Sequence, residues 1–355
     1  MARPLVTALI DTYNHERFIE QAIVSVLEQD VPPSEMEVLV VDDGSTDGTS
    51  EMVKRFAPRV RYFRKSNGGQ ASAFNTATPE ARGEIVAFLD GDDWWAKDKL
   101  STVLDTLEKN PDIGSVGHGL YLVNEEETCE STLIPRRTER LQLRDRVGAE
   151  LFRQLRAFLG ASRVTIRKSV LDRVIPIPET LVIEADEYMF TLATALAGAI
   201  VLNRPLTHYR LHSGNLFQFR GSDNQRLRRK QGVLACLVRE LPPALRAARV
   251  PEDAVGAIIE PTWVESERLR LSLDGGKPWE TLRVERADFH FAYRDATAGY
   301  HLFKALVFGL TLILPPRRFY RLREWYTARG LRRVRQFMGE PVPAAPTLEQ
   351  KQAPQ

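Results

Sequence analysis

The chain is predicted to fold as an α/β domain, a mostly parallel sheet flanked by helices, followed by a helical appendage. Three observations predict this. Short apolar runs at Leu5–Ile10, Val38–Val41, Val60–Phe63 and Ile85–Leu89 read as buried strands. Helical patterns fill the gaps between them, and crossovers of that length join parallel strands. Polar turns at Asp11–Asn14, Asp42–Ser45 and Asp90–Asp93 follow three of those strands. They would share the carboxyl edge, where ligands bind in open α/β sheets.

Taken in order, strand Leu5–Ile10 leads through the Asp11–Asn14 turn into a helix over about Glu16 to Gln29. The pairs Phe18/Ile19, Ala22/Ile23 and Val26/Leu27 make one buried stripe, and Val31-Pro32-Pro33 stops the helix. Strand Val38–Val41 runs into Asp42-Asp43-Gly44-Ser45-Thr46-Asp47-Gly48, rich in helix-capping residues, and a helix covers Thr49–Phe56. After strand Val60–Phe63 comes the loop Asn67-Gly68-Gly69-Gln70 and a helix to about Thr78. Strand Ile85–Leu89 and helix Lys97–Lys109 complete the first half.

Composition sets bounds. The 355 residues suggest one large domain or two, and 43% hydrophobic with 27% charged residues is ordinary for a globular protein. A net charge of +2 gives no general attraction to polyanions, so nucleic acid is not an expected partner. Cys129 and Cys236 form no metal-spaced cluster and fit a reducing compartment. Met1-Ala2-Arg3-Pro4 runs straight into a strand pattern, so no signal peptide is expected and the localisation is read as cytoplasmic.

The chemistry concentrates at Leu89-Asp90-Gly91-Asp92-Asp93. Three carboxylates cannot stay inside a buried strand, so they must emerge at the sheet edge. Hard oxygen ligands there suit Mg²⁺ or Mn²⁺ bridging to a phosphate. An acidic turn with no ligand is the plain alternative. Neither the dinucleotide-binding glycine fingerprint nor a phosphate-cradling G-x-x-x-x-G-K-[ST] occurs, so phosphate charge would have to be met by a metal on carboxylates.

Val6-Thr7-Ala8-Leu9-Ile10-Asp11-Thr12-Tyr13-Asn14, then Val40-Val41-Asp42-Asp43-Gly44-Ser45-Thr46-Asp47-Gly48-Thr49, then Phe88-Leu89-Asp90-Gly91-Asp92-Asp93 resemble the inverting family 2 glycosyltransferases of the GT-A fold, in order and spacing. The resemblance is strong over residues 4–110 and weaker to 215. It implies a Rossmann-like catalytic domain over 1–215, with a donor half at 1–110 and an acceptor half at 111–215. It implies transfer of a sugar from a nucleoside diphosphate sugar, commonly a UDP-sugar, to a hydroxyl acceptor such as a lipid-linked glycan, with Mn²⁺ or Mg²⁺. Asp43 would accept the base N–H, with one member of the Asp42/Asp43 pair binding and the other doing turn chemistry. Thr12 and Tyr13 would line base and ribose, and Asn67 and Gly68 the pyrophosphate or ribose. Asp90 and Asp92 would form the D-x-D motif, with Asp92 the direct metal ligand and Asp90 contributing to metal and nucleotide. Asp93 is open between site and turn. Of Trp94 and Trp95, one is expected in the core and one partly exposed.

Further along, Ile113–Val123 reads as a strand and Asn124–Asp145 as a polar irregular stretch. Val147–Leu159 reads as a helix, Ser162–Ile166 as a strand and Arg167–Val174 as a short helix. An inverting transfer needs a carboxylate to take the acceptor's proton. By the resemblance, Asp186 is that base, opening a helix at Tyr188–Leu196, with Glu184 and Glu187 as rivals. Ala185 stands where many members have Glu. Tyr209-Arg210-Leu211-His212 resembles the segment that closes the domain, which implies that His212 is a further metal ligand or a diphosphate contact.

Residues 216–338 are expected to be helical and 339–355 a disordered tail. Tyr300–Leu314 is strongly apolar but too short for a bilayer span of about 20 residues. Arg317, Arg318, Arg321 and Arg323 follow at once. The segment 300–335 therefore suits a membrane surface, on which the enzyme would sit peripherally, with a core helix or an oligomer interface as alternatives. Nucleotidyl transfer on a related fold and an inactive nucleotide-sugar binding module are the contending functions.

Overall fold

The computed structural model describes residues 4–212, 224–292 and 297–328. They fall into two compact units: 4–212 with 240–255, and 224–239 with 256–328.

The first unit is the α/β domain. Its strands are β1 (Val6–Thr12), β2 (Met36–Asp42), β3 (Val60–Arg64), β4 (Ile85–Asp90), β5 (Trp94–Trp95), β6 (Ser115–Val123), β7 (Cys129–Leu133), β8 (Glu139–Leu141), β9 (Thr165–Arg167) and β10 (Ala199–Arg210). Helices α1 (Ile19–Leu27), α2 (Thr49–Lys54), α3 (Gln70–Ala77) and α4 (Lys99–Lys109) alternate with the first strands as expected; α5 (Arg146–Leu155), α6 (Lys168–Leu171) and α7 (Ala185–Ala197) follow. One sheet orders the strands β3-β2-β1-β4-β9-β6-β10-β5, with β7 beside β6 and β8 beside β10.

β1 is the centre. Val6, Ala8, Leu9 and Ile10 are fully buried, because β2 and β4 flank it in parallel and helices cover it. The register sets Asp11 opposite Asp90 and Thr12 opposite Asp42. The carboxyl ends of β1, β2 and β4 therefore finish level, and that edge carries the site.

The second half departs from a mostly parallel sheet. β9 runs antiparallel to both β4 and β6, β7 to β6, and β5 and β8 to β10, while β6 and β10 are parallel. Within Asn124–Asp145, read from sequence as irregular, lie β7 and β8, and a tight turn (Glu127 N to Asn124 O, 3.0 Å) returns β6 into β7 without a crossover helix. α1 begins at Ile19 rather than Glu16, because residues 14–16 brace the turn after β2. Asn14 N donates to Ser45 Oγ (2.9 Å), His15 N to Thr49 Oγ1 (2.9 Å) and Glu16 N to Asp47 Oδ2 (3.1 Å).

Residues 240–255 belong to the first unit, where Leu241, Leu245, Val250, Ala254 and Val255 are buried. The second unit is helical: the start of α8 (Asn224–Ala247), most of α9 (Glu252–Asp274), then α10 (Pro278–Ala292), α11 (Ala298–Ile313) and α12 (Pro316–Ala328). Val264, Leu271, Val284, Val307, Phe319 and Tyr320 form its core. The expected tail 339–355 lies outside the described residues.

The domain buries one lysine beneath the site. Lys99 is fully buried; its Nζ donates to Thr165 Oγ1 (3.0 Å) and sits 3.6 Å from the centre of the Trp95 ring. Burial pushes its pKa well below the usual value. Desolvating an ammonium outweighs one hydrogen bond and a cation–π contact worth about 2 kcal/mol. Lys99→Met is therefore expected to raise the melting temperature in a thermal melt. A lower one would mean that the ring contact dominates.

Candidate active site

The site grows from the level strand ends. Asp11 and Asp90 lie on paired positions of β1 and β4, and Asp92 and Asp93 follow in the next turn. The short 3-10 turn Ala161–Arg163 ties this edge to α7. Ser162 Oγ donates to Asp90 Oδ2 (3.1 Å) and accepts from Asp90 N (3.1 Å). Ala161 N donates to Asp186 Oδ2 (3.0 Å), and Glu187 N donates to Asp186 Oδ1 (3.0 Å).

The carboxylates are crowded. Asp11 is pushed well above the usual range by burial and then by Asp90, Asp92 and Asp186, and one of its oxygens is buried with no hydrogen-bond partner. Burial, with Asp92 and Asp186, pushes Asp90 up to about 7. Asp186 is raised by burial, against the pull of the Ala161 N–H and the Arg163 charge. Asp92 goes the other way. Burial would raise it, but two imidazoles hold it below the usual range: His15 (Nε2 to Oδ2, 3.8 Å) and His212 (Nε2 to Oδ2, 3.0 Å).

The three expected metal ligands are not a preassembled set. Asp92 and His212 meet, whereas Asp90 is turned to Ser162. Among the described residues no group of three His, Cys, Asp or Glu stands in ligating geometry. The donor chemistry still fits a hard divalent cation: carboxylate oxygens plus imidazole, in a pocket of surplus negative charge. Asp93 ties the turn to the end of β10, accepting from Arg210 N (2.9 Å).

The Asp42/Asp43 pair is resolved differently from a simple division of labour. Asp42 accepts from Ser45 N (2.7 Å) and Tyr62 Oη (2.6 Å), which is turn chemistry. Asp43 holds the next loop: it accepts from Lys65 Nζ (2.7 Å), Gly68 N (3.0 Å) and Gly69 N (2.7 Å). Gly44, at φ +82°, lets that loop approach, since a Cβ there would lie 2.7 Å from Asn67 N. The loop in turn docks on the entry to α7 through Gln70 N to Val182 O (3.0 Å) and Ala185 N to Gln70 Oε1 (3.0 Å). Asn67 is thus exposed beside Gly68 at the edge, Thr12 is buried, and Tyr13 is 43% exposed.

Arg210 is buried between Phe18 and Trp94, its carbon Cζ 4.7 and 4.6 Å from the ring centres, and its Nε donates to Asp92 O (3.1 Å). Trp95 is buried, its Nε1 donating to Ser162 O (3.0 Å), while Trp94 is half-buried and stacks on His208 at 4.8 Å. Sequence reasoning assigned no role to Asp11, His15, Ser162 or Arg163. For Asp11 a signal existed, a carboxylate ending the central strand. A serine entering a three-residue strand carries none.

Residues 7–172 match the Glycosyl transferase family 2 model. Over these residues the chain belongs to glycosyl transferase family 2. An uncharacterized glycosyltransferase of Nostoc sp. is 31% identical over 217 residues, 59% of this chain and 66% of that one. A putative teichuronic acid biosynthesis glycosyltransferase of Bacillus subtilis is 38% identical over 123 residues, 33% of this chain and 48% of that one. The chain thus spans 66% and 48% of the length of these two relatives. Among solved structures, a fragment of S. aureus TarS in complex with UDP-GlcNAc superposes with TM-score 0.56 at 21% identity, covering 81% of this chain and 80% of that one. The family 2 domain thus has the GT-A fold that its three motifs imply.

Glu184, a rival for the base, is a poor one. It sits at φ 58° before α7, and burial, with Glu187 and Asp186, pushes it up to about 10. Its neighbour Glu187 is paired with Arg156 (2.7 Å). A raised folded-state value means that the unfolded chain ionises first, so this group's contribution to stability falls as pH rises from about 4.5. Glu184→Gln should flatten the decline of melting temperature between acid and alkaline pH. An unchanged slope would place the titration elsewhere.

Proposed function

We propose that the family 2 domain transfers a sugar from a nucleoside diphosphate sugar to a hydroxyl acceptor, with inversion at the anomeric carbon. The observation that carries this is the convergence of Asp90, Asp92 and Asp186 on one edge, beside a loop held in place by Asp43. The UDP-GlcNAc bound by TarS and the teichuronic acid role named for the Bacillus relative support a UDP-sugar donor and a polysaccharide product.

Asp186 is the base. Its two backbone hydrogen bonds fix the carboxylate, and burial raises its affinity for a proton. It takes the acceptor's hydroxyl proton as that oxygen bonds to the anomeric carbon and the bond to the diphosphate breaks. Arg163 sets positive charge beside Asp90 and Asp186. Mg²⁺ or Mn²⁺ would be held by Asp92 and His212 with Asp90 alongside, and when bound it offsets the charge of the leaving diphosphate. Tyr13 and Thr12 line the base and ribose. Asp43 acts on the donor chiefly by setting the Asn67–Gly68 loop, with any remaining lone pair open to a base N–H. The acceptor fits a lipid-linked glycan met at the cytoplasmic face of a membrane.

Binding of UDP with and without Mn²⁺, read by calorimetry, tests the donor half. Asp92→Ala should lose the Mn²⁺-dependent part of the affinity and keep its circular dichroism. Unchanged Mn²⁺-dependent binding would remove Asp92 from the site. Asp186→Asn should keep donor affinity and lower turnover by about 10²–10⁴-fold. Near-normal turnover would reassign the base.

A further inference from the structure

We infer that the outward face of α11, with the start of α12, docks the chain on an anionic lipid surface. α11 has two unlike sides, a mixed inward one and an apolar outward one. Tyr300, Lys304, Val307 and Thr311 point into the helical unit and are buried. On the other side Leu302 is 65% exposed, Leu306 65%, Leu310 41% and Ile313 76%. These positions are four, four and three apart, a single stripe along the helix. Leu312 widens it, and Ala305 and Gly309 fill the surface between. From Leu302 to Ile313 the one charged residue is Lys304, and it faces inward. A helix meant for water has the reverse arrangement.

The occupant follows from charge and length. Where the stripe ends, α12 exposes Arg317, Arg318 and Arg321 beside Leu322, against Glu324. The sequence continues with Arg329, Arg332, Arg333 and Arg335. A second copy placed symmetrically would bring like-charged rims together, or set them beside Thr297–His301, which offers no carboxylate. Anionic headgroups complement this rim. The 16 residues of α11 reach about 24 Å at about 1.5 Å each, short of a hydrocarbon core of about 30 Å. No helix among the described residues is long and apolar enough to cross a membrane. The helix therefore lies in the interface, stripe down, arginines among the phosphates.

Flotation of the full chain with phosphatidylcholine vesicles, with and without phosphatidylglycerol, at low and high salt, tests this. The parent should float with the anionic vesicles. The pair Leu306→Glu and Ile313→Glu should weaken binding at least about tenfold at either salt. The pair Arg318→Glu and Arg321→Glu should remove mainly the salt-sensitive part. Both pairs change exposed side chains, and an unchanged thermal melt verifies the fold. Asp186→Asn should float like the parent, so failure of docking and failure of the catalytic reading are distinguishable. No flotation with anionic vesicles, or flotation of the Leu306→Glu and Ile313→Glu pair equal to the parent, overturns the proposal. So does a dimer in light scattering that Leu306→Glu dissolves, which would make a second copy the occupant.

Discussion

Four carboxylates share one edge of this protein, and much of the domain is arranged around keeping them there. Asp11 and Asp90 cannot move apart, because the β1–β4 register pairs their backbones. Asp92 follows within two residues, and Asp186 arrives on α7. Burial and then the neighbouring like charges raise the pKa of both Asp11 and Asp90. The compensation comes from groups that are themselves fixed: His15 and His212 on Asp92, Ser162 on Asp90, the Ala161 N–H on Asp186. A cation and a nucleotide would complete what these groups leave unneutralised. An edge kept repulsive in their absence favours binding over stability.

The turn at Ala161–Arg163 transmits that arrangement to the rest of the sheet. Ser162 touches Asp90 with its hydroxyl and, with its carbonyl, accepts from Trp95 Nε1 (3.0 Å) and Thr207 Oγ1 (2.7 Å). The same residue thus fixes β5 and β10 against the site. Arg210 and His212 lie at the end of β10, so their reach to Asp92 depends on that anchoring. Losing the Ser162 hydroxyl would act on Asp90, while the carbonyl bonds that anchor β5 and β10 would remain.

The first half of the domain was legible because its strands are continuous apolar runs and its helices carry clear stripes. Tertiary pairing overrode pattern in the second half. β10 contains Asn203, Arg204 and Pro205, and its pairing with β6 shifts register there, so only its apolar start Ala199–Leu202 carries a strand pattern. β7 and β8 are short and charged, and β5 is two tryptophans. That Asp90, Asp92 and Asp186 would lie near one another was readable from motif and position, as was the burial of one of the two tryptophans and the partial exposure of the other. The partners that orient them were not. Asp43 shows the limit most clearly: the sequence marks it as important, but not that three of its hydrogen bonds hold the following loop.

The helical unit shows how charge can decide which side of a helix faces out. Glu285 is 1% exposed and pairs with Arg268 (3.0 Å) and Arg323 (3.7 Å), and Arg268 also reaches Asp288 (2.6 Å). Burial lowers the proton affinity of Lys304, and Glu285 and Asp288 oppose that by their charge. Turning α11 by half a revolution would bury its leucines, which hydrophobicity alone favours by about 1.5–3 kcal/mol for each side chain. It would also carry the Lys304 ammonium away from buried Glu285 and half-buried Asp288. Breaking a buried charge network by removing one member costs about 3–5 kcal/mol. Turning α11 would also uncover Tyr300 and Val307, now 1% and 6% exposed, so the inward side is held by apolar contacts as well as by the network. A second, apolar environment on the outer side removes the conflict: the leucines are then covered without moving the lysine. The inferred lipid contact would cover the outer stripe and leave the Lys304 surroundings and the Tyr300 contacts in place.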